Sequence, residues 1–155
     1  MDRQTALALS TAVLVALWTY VSLQFIPDLS PWVGVAALGC FFAAGGKTQG
    51  FQKTAFGTVS GMVYVWVMMQ LVSTLGGSTL VYALLMGVVA LVIVLLSRVP
   101  ALSFIAGGLV GAAVTVGNGA GADLGHMLYT AVSLVIGAAL GFAAETTAAS
   151  LATKR

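Results

Sequence analysis

The residues able to do chemistry are few: one histidine, one cysteine, four acidic and six basic side chains among 155 residues. Asp123 and His126 stand three apart, a spacing that brings two side chains to one helix face. A carboxylate beside an imidazole can relay protons. Both fall where a helix begins, however, so a capping aspartate with an interfacial histidine is the simpler role. Nothing nearby supplies the further ligands a metal needs, and no nucleophile is paired with a base. Cys40 lies among Gly39, Phe41 and Phe42, where a small thiol packs as an apolar group, and a lone cysteine forms no internal disulfide. No catalytic residue, metal site or cofactor is predicted, so the sequence does not read as an enzyme.

Neutral polarity is what remains. No ionisable residue lies clearly inside an apolar stretch, whereas ion-coupled transporters and proton pumps normally place such residues in the membrane. Thr48, Gln49, Ser103, Thr115 and Asn118 are among the neutral polar residues inside or at the ends of these stretches. They accompany two runs rich in glycine, which costs about 1 kcal/mol relative to alanine in a helix interior and so needs a reason. The candidate solute path comprises Gly39, Phe41, Phe42, Gly45 and Gly46 in the first run. The second contributes Ser103, Phe104, Gly107, Gly108, Thr115 and Asn118.

These residues must be carried by helices in a membrane. Hydrophobic residues make up 60% of the chain and charged ones 6%, with a mean hydropathy of +1.08. A soluble domain carries about 25% charged residues. Long apolar segments in lipid satisfy their backbones only as helices or closed barrels, and runs such as Val81–Leu96 lack the alternation of barrel strands. The expected fold is an all-α polytopic membrane bundle of six helical spans, at 6–25, 31–46, 54–74, 79–97, 100–118 and 125–145. The chain reads as a single transmembrane domain over 1–155, and its first apolar run as a retained helix rather than a cleaved leader.

Every basic residue falls in a gap on the same side: Arg3, Lys47 and Lys53, Arg98, then Lys154 and Arg155. Cytoplasmic loops carry the excess of Lys and Arg, so both termini are expected in the cytoplasm. Tyr20, Trp32, Tyr82 and Tyr129 fall near the outer ends of their spans, as an interfacial belt requires. Pro31 opens span two with Ser30 as its cap and Asp28 nearby; Asp123 caps span six. A net charge of +2 with dispersed basic residues gives no basis for nucleic-acid binding.

The halves 1–75 and 76–155 correspond as an inverted 3+3 repeat. Each short middle span opens with Pro, carries Gly eight residues later (Pro31 and Gly39, Pro100 and Gly108) and ends in a Gly-rich run. The third spans share Gly57-x-x-x-Gly61 and Gly137-x-x-x-Gly141, motifs that allow close helix approach. Paired short, Gly/Pro-interrupted segments in matching positions point to a membrane binding site.

The segments Trp32–Gly46 and Ser103–Gly108, with the turn Gly117–Asn118–Gly119, resemble the YcdZ-like family of small bacterial inner-membrane proteins. That family is a domain of unknown function, so the resemblance implies location and size and supplies no substrate. A more distant likeness is to urea-channel halves, without their asparagine–proline signature.

The leading expectation is a small channel or facilitator for an uncharged, urea-like solute in the bacterial inner membrane, with its path between spans two and five. Its partners are the lipid bilayer, the solute and further copies of itself in a homo-oligomer. The alternative is a non-transporting structural or accessory membrane protein that packs with a partner.

Overall fold

Capping side chains start three of the long helices. Asp2 accepts a hydrogen bond from the Thr5 amide at 2.6 Å, Ser78 from Val81 at 3.3 Å, and Asp123 from His126 at 3.1 Å. The computed structural model describes residues 2–119 and 123–152. These form α1 (Arg3–Phe25), α2 (Pro31–Ala43), α3 (Lys47–Thr74), α4 (Thr79–Leu96), α5 (Ile105–Gly117) and α6 (Leu124–Leu151). A 3₁₀ turn, Pro100–Leu102, precedes α5, and there is no strand among the described residues. Lys154, Arg155 and residues 120–122 lie outside the described residues.

Four helices, α1, α3, α4 and α6, are long and apolar enough to cross a membrane. The other two, α2 and α5, have 13 residues each. At 1.5 Å per residue they reach about 20 Å, well short of a hydrocarbon core of about 30 Å. Both are shorter than the predicted spans. α2 stops at Ala43 because Gly45 and Gly46 turn left-handed, at φ 94° and 67°. Pro100 stands outside α5 in its own turn.

The predicted third span begins at 54, but α3 begins at Lys47. Its first two turns carry Thr48, Gln49 and Gln52 on exposed positions while Gly50 and Thr54 are buried. This amphipathic start reads as a loop when polarity alone is weighed. Ser30 also departs from expectation. It stands at the N-cap of α2 with Pro31 following, yet makes no capping bond; its hydroxyl donates to Asn118 Oδ1 instead.

α3 and α6 are the backbone of the bundle. α5 lies along α3 and α2 along α6, both parallel, with α4 flanking α3 and α1 flanking α6. Glycine allows these approaches. A Cβ on Gly61 would strike the Gly108 carbonyl oxygen, one on Gly111 the Thr58 carbonyl oxygen, and one on Gly137 the Gly34 carbonyl oxygen. A Cβ on Gly141 would fall 2.5 Å from the Phe41 ring. The Gly-x-x-x-Gly motifs are therefore used between helices of one protomer, and lend no support to self-association.

Polar bonds fasten the flanking helix α1. Ser10 Oγ donates to the Ala144 carbonyl at 2.9 Å and Trp18 Nε1 to the Pro31 carbonyl at 3.0 Å. The bundle ends are polar too. Arg3 and the α3 start meet Glu145 at one end, while Ser30, Asn118 and Thr130 meet at the other.

Candidate functional site

The place where α2 and α5 approach is a seam walled by α3 and α6. Val33 and Ala37 come from α2, Met62 from α3, Val114 from α5 and Leu134 from α6, and together they form one buried cluster. Met127 and Ala131 of α6 pack against it. The centre of the seam is apolar and closed, with a methionine thioether as its most flexible member.

At the end of the seam where α5 stops, three hydroxyl and amide groups form a chain. Ser30 Oγ donates to Asn118 Oδ1, Asn118 Nδ2 donates to Thr130 Oγ1 at 2.8 Å, and Thr130 Oγ1 donates to the His126 carbonyl at 2.9 Å. Because the Thr130 proton goes to a carbonyl, its oxygen is free to accept, which fixes the orientation of the Asn118 amide. Asn118 thereby ties the start of α2, the end of α5 and the first turns of α6. Outside this chain, Asp123 Oδ2 lies 2.9 Å from His126 Nδ1 on exposed surface. The hydrogen bonds from His126 hold the Asp123 carboxyl below its ordinary value. This is the predicted cap, with His126 exposed beside it.

The opposite end is built around two phenylalanines. Phe41 is fully buried, with its carbonyl and ring at 3.1 and 3.5 Å from a Cβ built on Gly50, and it also packs on Gly141. Phe42 meets Phe41 edge to face at 5.4 Å. The Phe104 ring covers Gly107, and the Phe104 carbonyl lies against Gly57. Between these contacts, α3 presents buried Gly50, Thr54, Gly57 and Thr58. Gly45 and Gly46 lead into the start of α3, where the Lys47 amide donates to Glu145 Oε2 at 2.6 Å and Arg3 Nη2 stands 3.7 Å from Glu145 Oε1.

The candidate path residues thus fall into separate groups. Phe41, Phe42, Gly45 and Gly46 gather at the basic end, with Phe104 and Gly107 nearby across α3. Gly108 is buried, with its carbonyl on Gly61 and Ile93 over its Cα. Thr115 is buried and donates to the Gly111 carbonyl within α5 at 2.7 Å. Asn118 belongs to the far end. Gly39 faces outward, with no atom within 4 Å of a Cβ there. Ser103 is exposed and lines a cleft of about 420 Å³ with Gln49, Gln52, Lys53, Phe56, Pro100 and Ala101. Sequence reasoning missed Thr54, Thr58 and Thr130. The signal for the first two was the three- and four-residue spacing of Gly50, Thr54, Gly57, Thr58 and Gly61, which makes one small, partly hydroxylic helix face.

A family described as "Protein of unknown function (DUF1097)" matches residues 8–149. The chain belongs to this family. The match reaches all six helices, so the seam, Glu145 and the Ser30–Asn118–Thr130 chain lie within the family domain, while Arg3 lies before it. No curated protein and no solved structure matches the chain.

Proposed function

We propose that the chain is a facilitator for small uncharged polar solutes, of the size and chemistry of urea, whose path follows the α2–α5 seam. One observation carries the reading: the helix contacts of one half reappear in the other. α2 lies on α6 as α5 lies on α3, and α1 flanks α6 as α4 flanks α3. Gly34 is held between the Trp18 ring and Gly137, as Gly108 is held between Ile93 and Gly61. An inverted repeat of two three-helix halves accounts for these pairs. It sets two half-length helices face to face at mid-membrane, the arrangement in which transporter folds bind their solutes.

The register of this repeat differs from Pro31 against Pro100. Gly34 answers Gly108, Gly137 answers Gly61, and Pro31 stands opposite Ile105. On this reading α2 and α5 complete six crossings. Arg3, Lys47 and Lys53 lie at the bundle end that also holds Pro100 and Ala101, next to Arg98 in sequence. The positive-inside rule makes that end cytoplasmic. The likeness to the YcdZ-like proteins supports a bacterial inner membrane. The seam residues Val33, Ala37, Met62, Val114 and Leu134 are uncharged, which fits a neutral solute and disfavours ions.

A second reading, a non-transporting membrane component packed with a partner or another copy, draws on the closed seam and on α4. Only 11% of the apolar window of α4 is buried, against 39% for α6. The test is urea entry into vesicles containing the purified protein, followed by light scattering after rapid mixing. Entry faster than in protein-free vesicles is the expected result. Equal rates would favour the second reading.

A further inference from the structure

Among the buried side-chain polar atoms of the described residues, Thr54 Oγ1 is without a hydrogen-bond partner, and Thr54 is fully buried. A buried hydroxyl with no partner forfeits the water it left behind, so such groups are nearly always bonded. The neighbouring hydroxyls obey this rule. Thr58 donates to the Thr54 carbonyl at 2.8 Å and Thr115 to the Gly111 carbonyl at 2.7 Å.

The internal repeat sharpens the anomaly. In the register that matches Gly61 with Gly137, Thr54 on α3 corresponds to Thr130 on α6, and both are fully buried. Thr130 has two partners, the Asn118 amide and the His126 carbonyl. In the register that matches Gly34 with Gly108, the counterpart of Asn118 is Ala44, which has no side-chain donor. One end of the seam is thus closed by an internal amide, and the other keeps the hydroxyl and lacks the amide.

We propose that Thr54, with the start of α5, forms a binding site for the amide-like solute near the basic end of the path. The solute supplies the group that Asn118 supplies at the opposite end. The inference rests on the facilitator reading. Thr54 stands one turn before Gly57, which packs on the Phe104 carbonyl, so its stripe of α3 runs past the first residues of α5. Phe104, the N-cap of α5, provides no side-chain bond to the first amides of that helix; the Ile105 amide donates to the Ser103 carbonyl at 3.2 Å, which leaves those of Ala106 and Gly107. Backbone N–H groups at an uncapped helix start donate to a carbonyl. A hydroxyl both donates and accepts, so it completes the site for an N–H of the same solute. A molecule with a carbonyl flanked by N–H groups satisfies both elements at once, and the Phe41 and Phe104 segments on either side of Thr54 restrict its size. Urea and small primary amides are the class that fits.

The experiment compares Thr54→Val, Thr54→Ser and Thr130→Val by thermal melting and by urea entry into vesicles. Valine keeps the shape of threonine and removes the hydroxyl. Thr54→Val should melt at or above the wild-type temperature and slow urea entry roughly three- to tenfold, the range for one lost hydrogen bond. Thr54→Ser should restore entry, whereas Thr130→Val should melt lower because it breaks two internal bonds. A lower melting temperature for Thr54→Val overturns the site whatever the entry rate, since the hydroxyl then has a protein partner such as the Gly50 carbonyl. Wild-type entry in a normally melting Thr54→Val also overturns it and leaves the facilitator reading standing. Wild-type vesicles no faster than protein-free ones would remove that reading and the site together.

Discussion

Gly111 and Gly39 mark the two extremes of glycine use in this chain. A Cβ on Gly111 would overlap the Thr58 carbonyl oxygen, so the α3 and α5 backbones would have to separate; at Gly39 a Cβ meets nothing within 4 Å. Overpacking costs about 1–3 kcal/mol in a packed interior, and contact against backbone leaves little room to relax. Gly111→Leu should lower the melting temperature and the yield sharply. Gly39→Ala should hold or raise the melting temperature, by up to about 1 kcal/mol of helix propensity; fluorescence-detected size exclusion after heating measures both. Gly108→Leu belongs with Gly111, because its Cβ meets Ile93 Cγ2 at 2.7 Å and its carbonyl lies on Gly61. Glycine-rich helix faces were legible in the sequence, but which face each glycine occupies was not. That depends on helix rotation, set by partners far away in sequence. Thr54, the first residue of the predicted third span, was missed for the same reason.

Helix ends were legible where a cap or breaker acts over a few residues, and misread at the starts of α3 and α5. Pro31 and Asp123 stand where helices begin, and Gly45–Gly46 where α2 ends. Asp123 also carries a pH dependence. The bonds from His126 depress its carboxyl below the ordinary value of 3.8, so its contribution is complete at neutral pH and is lost as the pH falls through the folded-state value. Wild type should therefore melt above Asp123→Ala at about pH 7, with the gap narrowing below about pH 4. Melting curves across that range check this, and a gap that widens in acid would contradict it. The shortness of α2 and α5 was legible from Pro and Gly. The detachment of Pro100 into its own turn was not, because proline opens a 3₁₀ turn as readily as a helix.

At the scale of the molecule, charge placement predicts the topology. Reporter fusions after residue 155 and within 74–79 should report opposite compartments, and matching signals would contradict six crossings. The proposed inverted repeat takes a different register from the one the prolines suggest, because Gly34, Trp18 and Ile93 carry it through contacts between helices rather than through sequence identity. The proposed function requires that solute passes along the seam between α2 and α5. Met62 is buried at its centre beside Val33, Val114 and Leu134, and shortening it removes volume there without touching the glycine contacts. The most direct measurement is urea entry into vesicles bearing Met62→Ala, normalised to folded protein. Entry faster than wild type is the predicted result; wild-type or protein-free rates in a folded variant would contradict a path along this seam.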